Sequence, residues 1–194
     1  PGRWGRGDPA HGTLNSKVNG LVPDTIDTKH LVGTNVGFDI DNPAEGPAVM
    51  KSTVNVPADT LFARTRTFGS EYPAGTDLDI FVYRDGILVG LSATSTTDEV
   101  VDLEPGGTYD VYVVQYAKPD SVDGQDVKLH SWVLRPVTAG NLTLSPANPT
   151  VTAGAPTTIT ANWTGLTPGR IYLGIIQFGQ GGNLTNATGV TVRT

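Results

Sequence analysis

The chain has 194 residues, 38% of them hydrophobic and 16% charged, with a net charge of −6 and no cysteine. That length holds one large domain or two small ones, and the missing cysteines exclude disulfides, zinc–thiolate sites and cysteine nucleophiles. Without any cluster of Lys or Arg, the acidic balance argues against a grip on nucleic acid or an anionic membrane. No run approaches the ~18 apolar residues of a membrane-spanning helix, and the start at Pro1 without Met suggests a processed product or an excised fragment.

The 24 glycines and 14 prolines are scattered without a collagen-like period, so they read as turns between many short strands. In chain order, residues 1–45 show weak periodicity. Phe38 and Ile40 alternate with Asp39 and Asp41 before Asn42-Pro43, which predicts one short strand in an otherwise extended linker. Val54 and Val56 alternate with polar neighbours before Pro57. From Leu61 to Thr67, Leu61, Ala63 and Thr65 share one face.

Leu78–Tyr83 is a β-branched and aromatic run, and Asp85-Gly86 after it signals a hairpin with Ile87–Leu91 as the return strand. Further strands are predicted at Glu99–Leu103, Tyr109–Tyr116 and Leu129–Leu134. Candidates thus recur every ~8–12 residues with turn chemistry between them, the pattern of a sandwich or barrel. No window shows helical periodicity.

Past Arg135-Pro136 the chain is rich in Thr and almost uncharged, Arg170 and Arg193 being its only formal charges. Leu142–Ser145, Thr157–Trp163, Ile171–Phe178 and Val190–Val192 are the strand candidates there. The expected fold is therefore all-β: a jelly-roll-like β-sandwich over residues 46–136, then a small immunoglobulin- or fibronectin-like β-sandwich over 137–194. A segment that short buries only about 60% of its unfolded surface, so it is expected to pack on the first domain or to lack strands of a full sandwich.

Three stretches occur in a familiar order: Val56-Pro57-Ala58-Asp59-Thr60, Gly75-Thr76-Asp77-Leu78-Asp79-Ile80-Phe81-Val82-Tyr83 and Gly106-Gly107-Thr108-Tyr109-Asp110-Val111-Tyr112-Val113. They resemble the bacterial pre-peptidase C-terminal domain, a jelly-roll-like β-sandwich. Gly140-Asn141-Leu142-Thr143, Trp163-Thr164-Gly165-Leu166 and Arg170-Ile171-Tyr172-Leu173-Gly174 resemble the tail that follows it in subtilisin-like proteases of actinobacteria. Asp59 stands where the family often has Gly, and a turn tolerates either. The resemblance implies a secreted accessory region whose partner is the parent protease's catalytic domain, with a protein or polysaccharide substrate as a second partner.

A catalytic role finds no support in the motifs, since neither Gly-Thr-Ser-Met-Ala nor Gly-x-Ser-x-Gly occurs. His11, His30 and His130 lie far apart, and His130 reads as a surface or satisfied strand histidine. Asp77 and Asp79 are the candidate metal ligands. At i and i+2 on a strand both carboxylates face one way, inviting a hard cation such as Ca²⁺ with help from Asp39, Asp41, Asp98 or Glu99. The alternative is that they cap turns and accept backbone N–H bonds.

Tyr112 and Tyr116 share the strand face opposite Tyr109, Val111 and Val113, so they and Tyr72 are candidates for a stacking surface. Trp132 and Trp163 are expected in the core. Arg6-Gly7-Asp8 resembles an integrin-recognition triplet, with chance the simpler reading. Asn141, Asn162, Asn183 and Asn186 open Asn-x-Ser/Thr sequons. The leading expectation is a non-catalytic C-terminal accessory region of a secreted subtilisin-like serine protease; the alternative is a stand-alone carbohydrate- or collagen-binding β-sandwich.

Overall fold

A computed structural model describes residues 11–194, so the Arg6-Gly7-Asp8 triplet lies outside the described residues. The fold is all-β. The chain forms two compact units that do not follow the sequence in blocks: residues 24–136 make one, and residues up to Pro23 together with 137–194 make the other.

The unit of residues 24–136 is built from eight strands: β3 (Thr25–Val32), β4 (Val49–Val56), β5 (Phe62–Arg66), β6 (Asp77–Arg84), β7 (Ile87–Ser92), β8 (Val100–Leu103), β9 (Gly107–Ala117) and β10 (Gly124–Leu134). They form two four-stranded antiparallel sheets with orders β3-β10-β5-β8 and β4-β9-β6-β7. Pairing the first strand of this unit with the last, and the second with the next to last, is jelly-roll topology. Alternation explains the layers. Ile80, Val82, Val111, Val113, Ala63 and Leu129 point between the sheets and form the main core.

At the β6–β7 hairpin, Asp85 and Gly86 both have positive φ (53° and 77°), the backbone of a type I′ turn that suits the strand twist. Gly90 on β7 is needed for packing: a Cβ there would lie 2.8 Å from Val101 Cγ1 on β8.

The outer face of sheet β4-β9-β6-β7 carries a second apolar layer of Val49, Phe81, Tyr83, Tyr112 and Val114. The segment 33–47 covers it, with Phe38 placed 4.8 Å from Phe81 between ring centroids and the Ile40 carbonyl accepting from Tyr83 Oη at 2.9 Å. Phe38–Asp41 therefore forms bends and no strand, contrary to the sequence reading. Asp39 holds the turn by accepting the Asp41 and Asn42 N–H groups at 3.0 and 3.2 Å.

In the other unit, β1 (His11–Thr13) pairs with β12 (Thr150–Thr152), and β11 (Leu142–Ser145) with β13 (Thr160–Trp163). A three-stranded sheet runs in the order β15 (Asn183–Arg193), β14 (Ile171–Gln180), β2 (Asn15–Pro23). Its core is Leu21, Leu142, Tyr172, Ile176 and Val192. Among the described residues, 11–45 thus supply three strands where one was expected, and two of them complete the small sandwich that 137–194 starts. The chain leaves this unit at Pro23 and returns at Val137, whose carbonyl accepts the Gly20 N–H at 2.9 Å.

Asn141 fastens the return. Its Oδ1 accepts the Leu21 N–H at 2.7 Å and its Nδ2 donates to the Leu21 carbonyl at 3.1 Å. This sequon asparagine has its amide engaged in the fold. Trp132 is buried, as expected, but Trp163 is 48% exposed: β13 pairs along one edge with β11, and the cluster formed by Leu142 and its neighbours closes without the indole.

Candidate functional site

The chemistry-bearing residues of the jelly roll converge at the start of β6. Asp77 and Asp79, with Tyr116 from β9 and Ala93, Thr94 and Ser95 after β7, line a surface cleft of about 330 Å³. Asp77 and Asp79 share this face at i and i+2 on β6, and the register shift between Asp77 and Leu78 leaves Tyr116 of β9 without a partner on β6. Sequence spacing located both aspartates and Tyr116. It missed Thr94 and Ser95, whose signal was the polar run Ser92–Thr97 closing the β7 end.

Behind the cleft lies Glu99, fully buried at the start of β8. Its carboxylate accepts hydrogen bonds from Ser92 Oγ, Thr94 Oγ1 and the Thr94 N–H, the last at 3.0 Å. Three donors satisfy the charge without a cation. Its field reaches the cleft: burial first, then the charges of Asp77 and Glu99, push the Asp79 carboxyl up to about 6. Burial, with the Glu99 charge second, also raises Asp77 above the ordinary carboxylate range. Asp77 Oδ1 is buried without a hydrogen-bond partner, and neither aspartate joins an ion pair among the described residues.

Three of the four additional calcium ligands proposed, all but Asp41, have other duties. Asp39 caps its turn, Asp98 pairs with Arg66 at 3.4 Å, and Glu99 is engaged by hydroxyls. Among the described residues no three His, Asp or Glu side chains converge on one metal position. Two carboxylates fall short of the about six oxygens that Ca²⁺ requires, so the residues present do not fit a calcium cage. The cleft instead offers two anionic groups, hydroxyls and the face of Tyr116, which is 43% exposed.

The three tyrosines part company. Tyr112 is buried under Phe38, edge-on to Tyr83 at 5.5 Å. It shares its strand face with Tyr116 as expected, yet the 33–47 segment converts that part of the face into core. Tyr72 is a structural pin and not a stacking surface: its Oη accepts the Lys128 N–H at 2.8 Å and donates to the Lys128 carbonyl at 3.3 Å. Burial pushes its phenol up to about 12. Tyr116 alone of the three presents its ring to the cleft.

The histidines are also placed. His11 and His30 are exposed, bonded to Thr152 and Asp126 at 2.9 and 2.8 Å. His130 on β10 is buried, with Nδ1 2.7 Å from Asp24 Oδ2 and Nε2 2.9 Å from Glu71 Oε2. Both ring nitrogens face carboxylate oxygens, and the ring lies between Phe68 and Trp132.

No helix among the described residues is long and apolar enough to cross a membrane. Neither a protein-family model nor a curated protein sequence matches the chain.

Proposed function

We propose that this chain is a non-catalytic accessory region of a secreted subtilisin-like serine protease, a region that binds rather than cleaves. The observation that carries this reading is the placement of the pre-peptidase-like stretches. The motif around Asp77–Tyr83 is β6 and that around Gly107–Val113 is β9, the two adjacent inner strands of one jelly-roll sheet. An order of motifs that falls on neighbouring inner strands is what a shared fold would require.

The cleft of Asp77, Asp79 and Tyr116 favours a second reading, a self-standing polymer-binding module, because carboxylates beside an aromatic face also suit a sugar ring. One experiment addresses both. The purified chain is assayed for peptidase activity on casein, then incubated with insoluble gelatin, chitin and cellulose, alone and together with a subtilisin-like catalytic domain. No peptide release, and retention on the catalytic domain, supports the accessory reading. Retention on gelatin or on one polysaccharide only, lost in Tyr116→Ala, favours the module. Peptide release by the isolated chain overturns both.

A further inference from the structure

Strand β7 ends the sheet β4-β9-β6-β7 and, among the described residues, pairs along one edge only, with β6. Its sequence, Ile87-Leu88-Val89-Gly90-Leu91-Ser92, contains neither a charge nor a proline. Those are two of the devices by which an edge strand refuses a further strand; a third, a bulge, sits at Val89, where the register with β6 shifts, and leaves Gly90–Ser92 as the regular stretch of the edge. Ile87, Val89 and Leu91 are 67%, 53% and 54% exposed, with Ile87 opposite Arg84 and Leu91 opposite Phe81. By contrast β4, at the opposite edge of the sheet, exposes Lys51, Thr53 and Asn55.

The edge leads somewhere. Leu91 sits across from Phe81 and Ser92 across from Ile80, so the next step along β6 is Asp79. Residues 93–95, which continue β7, form the wall of the cleft that holds Asp77, Asp79 and Tyr116. An extended chain lying along β7 therefore meets apolar side chains first and two carboxylates without cationic partners at the end. Those carboxylates and the ring beside them are complementary to an ammonium or guanidinium group.

We propose that the free edge of β7 takes up an extended peptide segment of a partner protein, apolar along the strand and carrying one Lys or Arg that enters the Asp77–Asp79–Tyr116 cleft. Main-chain hydrogen bonds to the open edge hold the segment, and the carboxylates select its basic residue. A second copy of this chain is the poorer occupant, since three exposed side chains fall short of the roughly 1,000 Å² that a stable interface buries. A net charge of −6 also disfavours an acidic partner. This inference does not require the protease reading, and fails or stands separately from it.

The test is selection of a random decapeptide library on the full chain, followed by fluorescence anisotropy of the enriched peptides. The expected winners alternate apolar residues and contain one Lys or Arg. Val89→Lys, an exposed position, should weaken them at least tenfold by placing a charge on the edge. Asp79→Asn should weaken them about fivefold and reduce their salt dependence. Thr53→Lys on the opposite edge should leave them unchanged, and amide exchange of β7 should slow when peptide binds. Three results overturn the proposal: no enrichment, winners lacking a basic residue, or binding indifferent to Val89→Lys. A dimer of the peptide-free chain that Val89→Lys dissociates would assign the edge to a second copy and overturn it too.

Discussion

His130 and Asp24, 106 positions apart in sequence, meet at 2.7 Å with side chains 2% and 1% exposed. Asp24 precedes β3 and His130 lies on β10, while Glu71, from the single 3-10 turn Gly69–Glu71, takes the other ring nitrogen. The ring thus ties three parts of the jelly roll. Replacing His130 with Leu keeps the volume and removes the ring nitrogens that face Asp24 and Glu71. Leaving buried polar groups short of a hydrogen-bond partner costs about 1–3 kcal/mol. Urea denaturation should show a midpoint lowered accordingly, with β-sheet circular dichroism retained below it.

Asp79 makes stability depend on pH in the direction opposite to the usual aspartate. In the folded chain its carboxyl holds a proton up to about 6, against an ordinary 3.8 when unfolded. Between those values the folded state binds more protons, so stability falls as pH rises through the window and levels off above it. Asp79→Asn should remove that fall. Because the group is partly solvated, the gain at pH 7.5 is about 1 kcal/mol after screening. Thermal melts at pH 3.5 and 7.5 should show the variant more stable than wild type only at the higher pH.

Tyr72→Phe tests the pin on β10. The substitution removes the hydroxyl that accepts the Lys128 N–H at 2.8 Å and leaves the ring against the main core. An orphaned backbone donor costs about 1–3 kcal/mol. Amide exchange should speed up at Lys128 first, ahead of residues on β9.

The two units make opposite predictions when cut. Residues 24–136 contain both sheets of the jelly roll and its whole core, so this fragment should fold alone with a cooperative thermal transition. Residues 137–194 lack β2, which supplies Leu21 to the core and pairs with β14. That fragment should give a disordered circular dichroism spectrum. Adding a synthetic peptide of residues 11–23 should restore sheet signal.

The sequence made the jelly roll legible from β4 to β10, because β4, β5, β7 and β8 alternate in burial while β6, β9 and β10, buried on both faces, are runs rich in β-branched and aromatic residues. The Asp85-Gly86 turn fixed the one hairpin whose chemistry is unambiguous. What stayed hidden has local causes. In β3 only Leu31 is buried, since it is an edge strand, and so its residues show no period. Strand β2 buries Asn19, Gly20 and Leu21 consecutively, a run that reads as a turn containing glycine.

Asp77, Asp79 and Tyr116 could be named in advance because strand spacing dictates a shared face. The burial of Tyr112 could not, because the cover comes from Phe38 in a segment without regular structure. Nor could the pairing of Asn141 with Leu21, which depends on strands from both ends of the sequence meeting.

That meeting also sets an order in time. As the polypeptide emerges from the ribosome, β1 and β2 appear well before β12 and β14, the strands they pair with. The jelly roll has all its strands once Leu134 is out. Only when Ile171–Gln180 arrives can β2 take its place beside β14, so β2 is made before the jelly roll and locked after it. Until then Val18, Leu21 and Val22 wait in solvent, and a holding factor acting on that interval would find its target there.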